Sequence, residues 1–218
     1  MLPVNVENQL LALDLDPSRP LIVCDVDEVV VHFLRALEDY LDCHGCWLDC
    51  ASFALNGNVR LRDTGLPVDR DRLVELLHGC FAERTRTMEA IDGAARALEA
   101  FSRDADIVML TNLPEDYIED RKVNLASHGM PYQVVANTGP KGHAVAHLIK
   151  DRRAPVIFLD DTPTNVVSVA EHCPDVHIVH FMQDERFARH VPPIDGIALR
   201  TGSWRDAEPA IADLLACR

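Results

Sequence analysis

Along the chain, continuous apolar runs alternate with stretches whose apolar residues recur every three or four positions. The runs are LIVCDV (21–26), DIVMLTN (106–112), YQVVAN (132–137), PVIFLDD (155–161) and VHIVHF (176–181). Runs of this length suit strands buried on both faces, as in a parallel sheet. Between them the spacing is helical. Val30, Phe33, Leu34, Leu37 and Leu41 predict one helix, and Leu73, Leu76, Leu77, Cys80 and Phe81 a second. Ile91, Ala94, Ala95, Leu98 and Phe101 predict a third. Pro114, Glu115 and Asp116 open a further helix, which stops at Gly129. Lys141 to Ile149, the segment around Val166, Val167 and Ala170, and the tail from Trp204 to Ala216 complete the helical set. Residues 1–20 read as a short helix and a turn ending at Pro20.

Strands that alternate with helices predict an α/β fold: a Rossmann-like parallel sheet with helices on both faces. Only residues 43–70 are poorly patterned. There SFAL, Asn56-Gly57 and NVRLR predict a hairpin around a type I′ turn. This stretch is expected to belong to a small, mostly helical insertion after the first strand. The chain then divides into core (1–29), insertion (30–87) and core again (88–218).

Charge narrows the function. Acids number 35 and bases 21 among 218 residues, for a net charge of −14. Such acidity argues against a nucleic-acid polymer as partner, and against an anionic membrane surface. No apolar run approaches the ~18 residues of a membrane span, and the start of the chain shows no secretory signal. The seven cysteines are odd in number and irregularly spaced. Free thiols in a reducing, cytoplasmic compartment are expected.

In open α/β sheets ligands bind at the carboxyl ends of the strands. Polar residues stand at those ends: Asp25 and Asp27, then Thr111 and Asn112, then Lys141, then Asp160 and Asp161. Asp25 and Asp27 are two apart, so a strand end can aim both at one centre. Asp160 and Asp161 are adjacent, so they point apart and cannot play identical roles. Carboxylates crowded together call for a cation, and an all-oxygen set suits Mg²⁺. Lys141, opening a helix, is placed to meet an anion at that helix N-terminus. The set describes phosphoryl transfer.

DVDEV (25–29), LTN (110–112), Lys141 and LDDTPTN (159–165) resemble the four ordered motifs of the haloacid dehalogenase-like (HAD) hydrolase superfamily. The gaps between Asp25, Thr111, Lys141 and Asp161 are 86, 30 and 20 residues. The resemblance spans about residues 20–182, and the insertion resembles the cap those proteins carry there. Asp160-Asp161 followed by Asn165 is loosely similar to the nucleotidase-like branch.

The resemblance implies roles. Asp25 is the nucleophile that forms an aspartyl-phosphate. Asp27 protonates the leaving oxygen and then activates water, helped by a neighbouring carboxylate. Mg²⁺ is held by Asp25, the Asp27 carbonyl and Asp161, with Asp160 direct or through water. Thr111, the Asn112 amide and Lys141 bind phosphate. An acid at position 27 separates the phosphatases and phosphomutases from the dehalogenases. In one departure, most such phosphatases carry glycine where Glu28 stands.

The expected activity is therefore Mg²⁺-dependent hydrolysis of a small phosphorylated metabolite. A phosphomutase with the same intermediate and a catalytically silent binding domain are the alternatives. Cys43, Cys46 and Cys50, with His44, could suggest zinc, but no fourth ligand pairs with them, and free thiols are preferred. His143 is the histidine nearest the site, a candidate supporting residue. Arg60, Arg62, Arg84 and Arg86 lie in the insertion. They are read first as solvent-facing charge, and second as groups that recognise an anionic substrate on closure.

Overall fold

A computed structural model describes residues 2–216. The chain opens with α1 (Val4–Leu11) and β1 (Leu21–Cys24). Next come α2 (Phe33–Cys43), β2 (Cys46–Leu48), β3 (Val59–Leu61) and α3 (Arg70–Arg84). The chain then runs through α4 (Ala94–Ser102), β4 (Asp106–Thr111), α5 (Ile118–Ser127), β5 (Gln133–Ala136) and α6 (Gly142–Ile149). It ends with β6 (Val156–Asp160), α7 (Pro163–His172), β7 (His177–Phe181), α8 (Glu185–Ala188), β8 (Leu199–Thr201) and α9 (Trp204–Ala216).

Six strands form one parallel sheet in the order β5-β4-β1-β6-β7-β8. Strand alternation divides the core. Leu21, Val23, Val108, Leu110, Val156 and Phe158 face α1, α6 and α7. Ile22, Cys24, Ile107, Met109, Ile157 and Leu159 face the opposite layer, which includes α4, α5 and α9. Helices on both faces are what continuous apolar strands require. The strand order reverses at β1: the chain moves from it to β4 and β5 on one side, then to β6, β7 and β8 on the other. A crevice opens at such a reversal, beyond the carboxyl ends of the strands.

The turn after β1 is tight. The Val26 carbonyl accepts from the amides of Val29, Val30 and Val31. This turn takes Val30 out of the predicted helix, which begins three residues later at Phe33. Val29, Val30 and Val31 are fully buried, and Trp204 Nε1 donates to the Val29 carbonyl at 2.7 Å. The closing helix therefore pins the turn that follows the first acids.

The insertion also differs from expectation. Its hairpin pairs Cys46–Leu48 with Val59–Leu61 rather than SFAL with NVRLR. Asn56-Gly57 does not form a type I′ turn, because Gly57 has φ +82° while Asn56 is not left-handed. Asn58 holds the intervening loop instead, donating to the carbonyls of Ser52 (2.9 Å) and Ala54 (2.8 Å). α2 and α3 pack closely at Gly79, where a Cβ would lie 2.0 Å from the Tyr40 hydroxyl. Two elements were not expected: the four-residue α8 and the edge strand β8. Among the described residues no helix is long and apolar enough to cross a membrane.

Candidate active site

The strand ends bring the separated motifs together. β1 and β6 are neighbours, and the Asp25 amide donates to the Leu159 carbonyl at 2.9 Å. Asp25, Asp160 and Asp161 each offer a carboxylate oxygen, and these oxygens lie within 4.8 Å of one another. Lys141 reaches between them: its Nζ is 2.7 Å from Asp25 Oδ1 and 2.7 Å from Asp160 Oδ2. Lys141 is fully buried and stands immediately before α6. Gly142 lets α6 approach α7, since a Cβ there would lie 2.4 Å from the Ser168 carbonyl.

The two adjacent acids have different surroundings, although their carboxylate oxygens come within 4.8 Å of each other. Asp160 is fully buried, and both its oxygens are occupied. Oδ1 accepts from the Thr162 amide (2.9 Å) and Asn165 Nδ2 (3.0 Å), while Oδ2 accepts from Lys141. Asp161 lines the cavity above. Its carbonyl is held by His180 Nε2 at 3.0 Å from within the sheet.

Two buried carboxylates and the half-buried Asp161 around one ammonium leave an excess of negative charge. Burial pushes Asp25 up to about 7; Lys141 opposes the shift, and Asp160 and Asp27 add to it. Burial raises Asp161 well above the usual range, reinforced by Asp25 and Asp160. Lys141 is raised despite its burial, because two carboxylates hold it protonated. The donor set is hard oxygen, crowded and one cation short, which fits Mg²⁺. One oxygen of Asp25 is taken by Lys141, leaving the other for an ion. Asp161 faces the same space, and Asp160, which accepts from Lys141, Asn165 and the Thr162 amide, completes the carboxylate group.

Asp27 has a partner that the sequence reading did not name: Arg121 Nη2 sits 2.5 Å from Oδ1. Thr111 Oγ1 lies 3.4 Å from Oδ2. Arg121 comes from α5 and is fully buried, with Nη1 3.3 Å from Asn124 Oδ1. Sequence reasoning passed over it. The signal available was its position, three after Ile118 and four before Leu125, where an amphipathic helix normally carries an apolar side chain. The Asn112 side chain is tied to the loop after β5, donating to the Gly139 carbonyl (3.1 Å) and accepting from Asn137 (2.9 Å). These bonds fix the end of β4 beside the cavity.

Glu28 is the one described non-glycine residue with positive φ, at 61°. Its buried carboxylate accepts from the Leu34 amide at 2.7 Å and from Gln183 at 3.2 Å. His32, the residue before α2, makes no side-chain cap, so Glu28 caps that helix from the preceding turn. Burial raises Glu28 to about 7.

Other candidates lie elsewhere. His143 is exposed and packs edge-on against His172, with ring centroids 4.4 Å apart; it does not line the cavity. The six described cysteines are free, and no Cys/His group among the described residues gathers as a metal site. Arg60 pairs with Asp49, Arg62 with Asp42 and Arg86 with Asp120. None of these arginines, nor Arg84, lines the cavity.

No protein-family model matches the sequence, and no curated protein does. Solved structures do. A haloacid dehalogenase-like protein of unknown function from Agrobacterium tumefaciens is 14% identical, with TM-score 0.62 over 88% of this chain and 97% of that one. A HAD-family hydrolase from Deinococcus radiodurans, solved with phosphate and sodium, is 15% identical, with TM-score 0.58 over 91% and 96%. A HAD hydrolase from Bacillus subtilis bound to magnesium is 12% identical, with TM-score 0.59 over 92% and 99%. At these identities the likeness is one of architecture, and the chain has the fold of the haloacid dehalogenase-like hydrolases.

Proposed function

We propose that this protein is a cytoplasmic, Mg²⁺-dependent phosphatase acting on a small phosphate monoester, with residues 30–87 serving as its cap. One observation carries the reading: Asp25, Asp160 and Asp161 converge within 4.8 Å, with Lys141 bridging two of them at 2.7 Å. The phosphate and magnesium bound by the similar structures support it.

Asp25 attacks phosphorus, so a bond forms from its carboxylate to phosphorus and the ester P–O bond breaks. Asp27 delivers a proton to the departing alcohol. Asp27 then takes a proton from water, which attacks the aspartyl-phosphate and releases inorganic phosphate and Asp25. Lys141, Thr111 and the Asn112 amide hold the phosphate oxygens while charge develops on them. Asp25, Asp161 and the Asp27 carbonyl would hold Mg²⁺, which would supply charge neutralisation and orientation.

The test is phosphate release from a panel of phosphorylated metabolites. Turnover with Mg²⁺, its loss on chelation and its abolition in Asp25→Asn support the reading. Activity intact in Asp25→Asn removes the nucleophile. Isomerisation without phosphate release would make the protein a mutase, and Mg²⁺ binding without turnover a silent binder.

A further inference from the structure

The cavity above the carboxylates has a volume of about 320 Å³ and two unlike ends. Its floor holds Asp25, Lys141 and Asp161. Its walls are mostly apolar, with Phe33, Phe53, Leu55, Leu77, Phe81 and Phe187, and polar Asn112, Thr162, Asn165 and Gln183 also line it. Phe33 stacks on Phe81 with centroids 5.3 Å apart, and Phe53 meets Phe187 edge-on at 5.9 Å. These contacts hold the rings as fixed walls.

Charge on the lining is one-sided. Lys141 is the only cation among the described lining residues, and both its neighbours at 2.7 Å are carboxylates. The other charged wall residues, Asp27, Glu28 and Asp184, are acids. A second anionic group on a substrate would meet those acids with no cation to offset them. Sugar hydroxyls against phenylalanine and leucine would lose their hydrogen bonds to water, at about 1–3 kcal/mol for each group left unpaired. A cavity of about 150 Å³ holds benzene, so the volume here takes a phosphate head and one ring or short chain.

Building on the phosphatase reading, we propose that the substrate is the phosphate monoester of an apolar alcohol, an aromatic ring or short alkyl chain with no second anionic group. Floor and walls divide the recognition: the floor binds the phosphate, and the walls bind the alcohol by excluding water.

The test is calorimetric binding of a phosphonate series to the full chain with Mg²⁺ present: methyl-, propyl-, pentyl- and phenylphosphonate, against glucose 6-phosphate and fructose 1,6-bisphosphate. Burying each methylene should tighten binding about fourfold until the cavity is filled. Phenylphosphonate should bind more tightly than either sugar phosphate. Leu77→Ser and Leu55→Ser, both at half-buried wall positions, should flatten the chain-length dependence. Affinities independent of chain length, or sugar phosphates bound more tightly than pentylphosphonate, overturn the proposal. Chain-length-dependent binding without phosphate release from the matching alkyl phosphates overturns only the hydrolase reading. A protein that binds no member of either set overturns both.

Discussion

The guanidinium of Arg121 lies 2.5 Å from Asp27 Oδ1, and the two side chains differ sharply in exposure: 0% for Arg121 and 20% for Asp27. The ion pair is therefore asymmetric. Removing Asp27 strands a cation that water does not reach, whereas removing Arg121 leaves a carboxylate that can turn to the cavity. Breaking a buried pair by deleting one partner costs about 3–5 kcal/mol. Asp27→Ala is expected to lose that much, and Arg121→Met distinctly less, in urea unfolding. The reverse order would mean that Arg121 is held mainly by Asn124 and its helix rather than by Asp27.

Glu28 sits in a left-handed backbone conformation while capping α2. Cap loss costs about 1 kcal/mol, and a side chain with Cβ at such φ costs about 1–2 kcal/mol more than glycine. At pH 5, Glu28→Ala should be less stable than wild type by about 1 kcal/mol, whereas in Glu28→Gly the relieved strain offsets the lost cap. The glycine variant should be the more stable of the two by about 1–2 kcal/mol. Equal midpoints in urea for the two variants would show that the turn carries no strain.

The core was legible because its strands are apolar on both faces, so each read as an unbroken run, and because the helices kept their period. β8 escaped for the opposite reason. Leu199, Arg200 and Thr201 form a half-buried edge with no apolar run to mark it. The hairpin register depends on Asn58 binding carbonyls within its own loop, a contact that no periodicity encodes. At the site, Asp25, Lys141 and Asp161 followed from residue type at strand ends. Arg121 did not, because a charge in an apolar stripe reads as a surface residue until its partner 94 positions away is known. The arginines of the insertion, read first as solvent-facing charge, stay outside the cavity: Arg60, Arg62 and Arg86 pair with Asp49, Asp42 and Asp120, and phenylalanine and leucine build most of the wall.

Lys141 holds two carboxylates together, those of Asp25 and Asp160. Lys141→Met keeps the volume and deletes the charge, leaving Asp25 against Asp160. A loss of about 3–5 kcal/mol is expected near pH 7.5, and less near pH 5, where Asp25 is protonated. If the phosphatase reading holds, turnover should fall by about 10²–10³, the usual cost of removing a group that stabilises developing charge. Lys141→Arg should not rescue it, since the planar fork does not fit a fully buried point-charge position. Wild-type activity in Lys141→Met would take this residue out of the chemistry.

The raised carboxyls make stability fall as pH rises. Glu28 moves from an ordinary 4.5 to about 7, mainly through burial, so between those values the folded chain holds a proton that the unfolded chain has released. With more protons bound when folded, the slope of unfolding free energy against pH is negative. The stabilisation is whole below pH 4.5 and gone above 7, about 3 kcal/mol for Glu28 at ~1.4 kcal/mol per pH unit. Asp25, raised to about 7, acts in the same sense. His32 and His180, lowered by burial, act in the opposite sense, so the informative quantity is a difference between proteins. In chelator, wild type should lose more Tm from pH 5 to pH 8 than Glu28→Gln, by about 5–10 °C at ~2–4 °C per kcal/mol. At the proposed site Mg²⁺ would compete with protons for Asp25 and Asp161, so its stabilisation should grow from pH 5 to pH 8. That growth should persist in Glu28→Gln, whose side chain is committed to α2, and vanish in Asp161→Asn. A Mg²⁺ effect equal at both pH values, or unchanged in Asp161→Asn, would place the ion away from these carboxylates.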